Sequence, residues 1–188
     1  MRRIRYQVAA SLDGYIAGPK GEADWIIMDP DIDFRALFAQ FDTLLVGRKT
    51  FEAMGGAKQK GSVMPGMQVV VFSRTLKRGD FPKLTIVGSK VKETVTALRK
   101  EEGKDIWLFG GGELFRSLLD AGLVDTVELA VIPVLLGGGV PMLPPPVKRT
   151  SLKLTGHKIY KTGIVMLEYE VQKTKSPRAK KAAAKPKG

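Results

Sequence analysis

An α/β fold built on a mixed, mainly parallel sheet is what this 188-residue sequence predicts, on three observations. Short continuous apolar runs, such as "TLLVG" at 43–47 and "QVVVFS" at 68–73, are typical of strands buried on both faces. These runs alternate along the chain with segments of helical apolar spacing, the order expected of a sheet covered by helices on both faces. Glycines stand where strand patterns give way to helix patterns, most densely in "WLFGGGELF" at 107–115. With 44% hydrophobic and 27% charged residues, the chain is large enough to bury one domain.

Residues 4–10 read as the first strand, followed by a glycine-punctuated loop, "DGYIAGPKGEADW". Phe34, Leu37, Phe38 and Phe41 recur at helical spacing and predict a helix over 33–41. A buried strand over 43–47 leads into a short helix, "RKTFEAM". Strands follow at 68–73 and 84–87, and Ser89 is a candidate N-cap for a helix reaching Lys100. Ile106 to Phe109 form another buried strand, and Leu114, Phe115, Leu118 and Leu119 the apolar face of the next helix. Strands at 126–134, 152–160 and 164–171 complete the order. The last two pair across the turn Lys161-Thr162-Gly163 and add an antiparallel edge. Gly137, Gly138 and Gly139 read as a structural turn, because proline-rich coil and not a helix follows them.

One boundary falls near Gln172, giving a folded domain over 1–172 and a tail over 173–188, "KTKSPRAKKAAAKPKG". The tail has seven basic residues, no acid and too little apolar surface to offset its ordering entropy, so it is expected to be disordered. Of the net charge of +12, the body keeps +5, from 24 basic and 19 acidic residues. Nucleic-acid association is therefore expected only weakly and through the tail. The mildly basic body suits a phosphorylated small molecule. No cysteine and a single histidine, His157, exclude disulfides, a cysteine nucleophile and multi-histidine metal sites, so no metal is expected. The N-terminus lacks the apolar core of a signal peptide. Pro133, Gly137, Gly138, Gly139 and Pro141 break up the most apolar region, which excludes a membrane span there. A cytoplasmic protein is expected.

Three strand ends look alike. "LLVGRKTFE" places Gly47 at a junction and Arg48, Lys49 and Thr50 in a first helical turn; "VVVFSRTL" ends in Ser73, Arg74 and Thr75; "WLFGGGELF" is the third. In a parallel sheet these carboxyl ends share one edge, where ligands bind. Free N–H groups and the positive dipole end of a helix suit an anion there. Arg48 and Lys49 gain nothing from that dipole, a conflict that a bound phosphate would resolve. The bland alternative is a set of tight turns with solvated cations.

"SLDGYIA", "LLVGRKTFE", "VVVFSRTL", "WLFGGGELFRSLLDAGLVD" and "VIPVLLGGGVP" occur here in the order seen in the dihydrofolate-reductase-like superfamily. Over 1–172 the chain most resembles the branch related to the C-terminal reductase domain of the bifunctional riboflavin-biosynthesis deaminase-reductase. The resemblance implies NADPH lying across the carboxyl edge of the sheet, and a homodimer. It implies that Gly110, Gly111 and Gly112, with the amides of Glu113 and Leu114, face the pyrophosphate. Gly47, Arg48, Lys49 and Thr50 would hold the adenosine phosphates, Ser73 and Arg74 would lie beside the 2′-phosphate, and Ala10 and Ile16 would line the nicotinamide pocket. Trp25 and Arg35 are implied as substrate-binding. Asp31 matches the buried acid of dihydrofolate reductases by its distance to Gly47, although its distance from Trp25 differs by one residue. The expected activity is hydride transfer from NADPH to a pterin-like imine or a phosphoribosylamino-pyrimidine, with a proton from Asp31 or water. A nucleotide-binding module without turnover is the alternative.

Overall fold

The computed structural model describes residues 1–56, 58 and 64–172. The chain enters as β1 (Ile4–Ser11) and β2 (Tyr15–Ala17), then α1 (Phe34–Phe38), β3 (Phe41–Gly47) and α2 (Arg48–Ala53). Next come β4 (Gln68–Phe72), β5 (Thr85–Val87), α3 (Val91–Leu98), β6 (Asp105–Gly110) and α4 (Gly112–Asp120). It closes with β7 (Thr126–Ile132), β8 (Val140–Pro141), β9 (Leu152–Ile159) and β10 (Val165–Val171). Eight strands form one sheet in the order β5-β4-β3-β6-β1-β7-β10-β9, and β2 and β8 pair separately. From β5 to β7 every pairing is parallel; β10 runs antiparallel to both β7 and β9. This is the mixed, mainly parallel sheet with a C-terminal antiparallel hairpin that the sequence predicts.

The alternation of side chains along β1 and β6 splits the core into two layers. Ile4, Tyr6 and Leu108 pack under α3 and α4 with Val95, Leu98, Leu114, Phe115 and Leu118. Leu44, Val46, Val71 and Trp107 pack on the other face with Phe51 of α2, and Leu37 and Phe38 of α1 join them. Each fully buried side chain of this size contributes roughly 1.5–3 kcal/mol. Farther along that second face, β1 and β7 turn polar. There Arg5 donates to Glu128 through Nε and Nη2, both at 2.7 Å, and the Thr126 hydroxyl donates to the same carboxylate at 2.8 Å. Among the described residues no helix covers this part of the sheet, and on β9 every residue except Gly156 is exposed. Covering on both faces therefore holds for the parallel half and not for the hairpin.

Several boundaries differ from expectation. The helix expected over 33–41 stops at Phe38, because Phe41 is drawn into β3, where its ring packs 5.5 Å from Trp107. Helical spacing alone cannot separate those two uses of one phenylalanine. Ser89 is not the N-cap of α3; Lys90 takes that place in the left-handed region (φ 56°), with no side-chain cap. The helix ends at Leu98, and Lys100 and Glu101 continue as single turns bonded to Ala97 and Leu98. β7 stops at Ile132, ahead of Pro133, which has no N–H to donate. The glycine-punctuated loop holds β2, and the proline-rich coil holds β8. Among the described residues no helix is long and apolar enough to cross a membrane. The tail expected to be disordered, 173–188, lies outside the described residues.

Candidate active site

β3 and β6 lie side by side, so their carboxyl ends deliver two strand-to-helix junctions to the same edge. Gly47 caps α2 and Gly111 caps α4, and neither cap supplies a side-chain hydrogen bond. The first amides of both helices thus lack side-chain acceptors, at the positive end of each dipole. The two junctions touch: a Cβ on Gly47 would lie 3.7 Å from both the Gly110 carbonyl oxygen and the Gly111 nitrogen.

The three consecutive glycines are there for three different reasons. Gly110 has φ +113°, a conformation that side chains rarely adopt. Gly112 is packed tight: a Cβ there would meet the carbonyl oxygens of Pro141 and Met142 at 2.6 and 2.8 Å and Pro144 Cδ at 2.8 Å. Gly111, at φ −74°, has neither constraint. A Cβ on it would face Thr50 Oγ1 at 3.0 Å and Ile16 Cδ1 at 3.8 Å. The middle glycine therefore keeps open a cradle between the starts of α2 and α4 and the strand β2.

Pairing with β8 brings β2 to that cradle. The loop before β2 is clamped by Asp13, whose carboxylate accepts from the Ser11 hydroxyl at 2.6 Å and from the amides of Gly137 at 2.7 Å and Leu136 at 3.1 Å. The Ser11 bond, with those two amides, holds the Asp13 carboxyl below its ordinary range. Asp13 is a structural residue, and the Gly137–Gly139 turn is its partner. Ala10 lies fully buried near the end of β1, and Ile16 is half-buried in β2.

The cations differ among themselves. Arg48 Nη1 donates to both carboxylate oxygens of Glu52, at 2.8 and 2.9 Å. Lys49 and Arg74 are exposed and have no side-chain partner among the described residues. Ser73 is buried and its Oγ accepts from the amides of Leu76 at 3.0 Å and Thr75 at 3.2 Å, which shapes the turn that presents Arg74. The Leu114 side chain points into the core and Glu113 is exposed; both stand in the first turn of α4.

On the other side of the edge, Trp25 is half-buried and its indole N–H donates to the Glu22 carbonyl at 3.1 Å. Asp31 and Arg35 are exposed, and Asp33 N-caps α1 by accepting from the Ala36 amide at 2.8 Å. The buried acid of this segment is Asp29. It accepts from the Thr162 hydroxyl at 2.7 Å, the Asp31 amide at 2.9 Å and the Thr162 amide at 3.2 Å. Burial pushes its carboxyl up, but the Thr162 and Asp31 donors, with Lys158 nearby, outweigh burial and hold it below the ordinary range. The spacing of Asp29, Asp31 and Asp33 does not reveal which of them is buried, because Thr162 lies 133 residues away.

The model of the RibD C-terminal domain family matches residues 2–166. This chain belongs to that family. Among its relatives is YyaP of Bacillus subtilis (strain 168), itself an uncharacterized protein, 36% identical over 178 residues, covering 89% of this chain and 94% of YyaP. Dihydrofolate reductase type 1 of Escherichia coli is 33% identical over 134 residues, covering 70% of this chain and 76% of that enzyme. A solved dihydrofolate reductase from Enterococcus faecalis, complexed with NADP(H), superposes with a TM-score of 0.60 at 19% identity, covering 90% of this chain and 94% of that one. Its likeness shows the shared fold. The RibD-type domain here thus has a reductase-type fold, with its two glycine-capped helix starts at the edge described above.

Proposed function

We propose that this chain is an NADPH-dependent oxidoreductase acting on a small heterocyclic imine, pterin-like, or on a phosphoribosylamino-pyrimidine. The observation that carries this reading is the cradle at Gly111: two helix starts capped by glycine with no side-chain hydrogen bond, a missing Cβ between them, and the cations Lys49 and Arg74, which have no side-chain partner among the described residues. Those features fit a dinucleotide. The amides of α2 and α4, with Thr50, would hold its diphosphate, and Arg48, Lys49 and Arg74 would pair with the 2′-phosphate through charge-assisted hydrogen bonds. Ala10 and Ile16 would flank the nicotinamide, and Trp25 and Arg35 would bind substrate. Bound there, the cofactor supplies the hydride. The chain contributes orientation through the cradle, and Asp31 or a water would provide the proton. Membership in the RibD C-terminal domain family and the similarity to a dihydrofolate reductase support the reading.

A second reading, a nucleotide-binding module without turnover, is favoured by one observation. The buried acid on the substrate side, Asp29, is saturated with donors, while Asp31 is exposed. One experiment separates the two: NADPH binding by calorimetry, followed by NADPH oxidation with dihydrofolate, other pterins and the phosphoribosylamino-pyrimidine of riboflavin synthesis. Oxidation with any of them supports the reductase. Binding without oxidation supports the module, and no binding removes both.

A further inference from the structure

The Arg48–Glu52 pair bears on how strongly this edge distinguishes a 2′-phosphorylated cofactor from one without that phosphate, an inference that rests on the cofactor reading above. Arg48 uses only Nη1 on Glu52, so among the described residues its Nε and Nη2 donors have no partner and can receive an anion. The pair is half in solvent, with side-chain exposures of 38% and 40%, and joins residues one helical turn apart. Exposed pairs at this spacing order a side chain only weakly, so Glu52 gives Arg48 little positioning that the helix does not already provide. Its charge, in contrast, acts on whatever Arg48 binds. No ion pair joins Lys49 or Arg74 to an acid among the described residues.

We infer that Glu52 is a specificity-determining residue that weakens the preference for the 2′-phosphate, by placing a negative charge directly on Arg48, the one of these three cations that is ion-paired among the described residues. An anion received by Arg48 meets a guanidinium already part-neutralised, and the repulsion from Glu52 falls on the 2′-phosphate and not on a ribose hydroxyl.

Glu52→Gln keeps a carbonyl oxygen able to accept from Arg48 and removes the charge; Glu52→Ala removes both. Calorimetric titration of the parent chain and both variants with NADPH and NADH reads the effect as a change in Kd, and a thermal melt of each verifies folding. Expected is about threefold tighter NADPH binding by Glu52→Gln at low salt, the scale of a partly exposed charge, with NADH unchanged. The gain should fade at high salt, as screening requires. Glu52→Ala should behave like Glu52→Gln. Unchanged or weaker NADPH binding by Glu52→Gln overturns the inference and leaves the cofactor reading standing. A parent chain that binds neither dinucleotide overturns the cofactor reading and this inference with it.

Discussion

Replacing each glycine of the 110–112 run by alanine, one at a time, should give two different kinds of damage. At Gly112 a Cβ would sit 2.6 Å from the Pro141 carbonyl oxygen, 2.8 Å from the Met142 carbonyl oxygen and 2.8 Å from Pro144 Cδ. Backbone on that side must move. Overpacking of this kind costs roughly 1–3 kcal/mol, which lowers Tm by about 2–12 °C in a domain of this size. At Gly110, φ +113° imposes backbone strain, on the order of 1–3 kcal/mol. At Gly111 the added carbon meets only the Thr50 hydroxyl at 3.0 Å and Ile16 Cδ1 at 3.8 Å. Side chains can give by that amount, and the stiffer unfolded chain returns about 0.4–1 kcal/mol. Gly111→Ala should therefore melt within a few degrees of the parent. In the same variant the methyl group occupies the cradle, and about 1–3 kcal/mol of crowding against the cofactor is roughly a 5- to 150-fold rise in Kd for NADPH. Thermal melts and NADPH titrations on the same three proteins check this. If Gly111→Ala binds NADPH like the parent, or loses as much stability as Gly112→Ala, the distinction among the three glycines is wrong.

Three further outcomes follow from the packing. Tyr6 is fully buried, its ring stacks on Phe115 at 3.7 Å, and its hydroxyl has no hydrogen-bond partner among the described residues. Tyr6→Phe keeps the stack and removes that hydroxyl, so it should raise stability by about 1 kcal/mol, and a fall in Tm would reveal a partner. Glu128→Ala removes the two-point carboxylate from the half-buried Arg5 guanidinium and leaves it Asp105 at 3.5 Å and Gln40 at 2.6 Å, so it should cost about 1.5–3 kcal/mol in a urea melt; no measurable loss would mean that Asp105, Gln40 and solvent replace Glu128 fully. Asp29 is held below the pKa of an unfolded aspartate, so its contribution is present above that unfolded value and is lost as pH falls through the folded one. The parent should therefore exceed Asp29→Asn in Tm at pH 7, with the gap closing below about pH 4; a gap that stays constant to pH 2 contradicts the account of Asp29.

The features legible in the sequence were those that depend on local pattern. Continuous apolar runs marked β3, β4 and β6, and the glycines marked the junctions at Gly47 and Gly111, because both effects act within a few residues. Gly111 could not be told apart from Gly110 and Gly112. Its distinction comes from what lies across from each Cβ: Thr50 and Ile16 for one, residues 141–144 for another. The same holds for Asp29, whose burial is decided by Thr162 at the β9–β10 turn. It holds for β2 and β8 as well, three and two residues long, which exist because the loops carrying them are clamped together through Asp13. Arg48 read as a free cation, although its i,i+4 spacing to Glu52 in the expected helix "RKTFEAM" was the signal that Glu52 would take part of its guanidinium.

If a dinucleotide lies on the two glycine-capped helix starts, backbone amide resonances followed during NADPH titration will report it residue by residue. The amides of Arg48, Lys49, Gly111, Glu113 and Leu114 should shift together with one Kd, while Gly156 on β9 and the Arg5–Glu128 face stay still. Shifts confined to that face, or none at Gly111 with NADPH saturating, would contradict it.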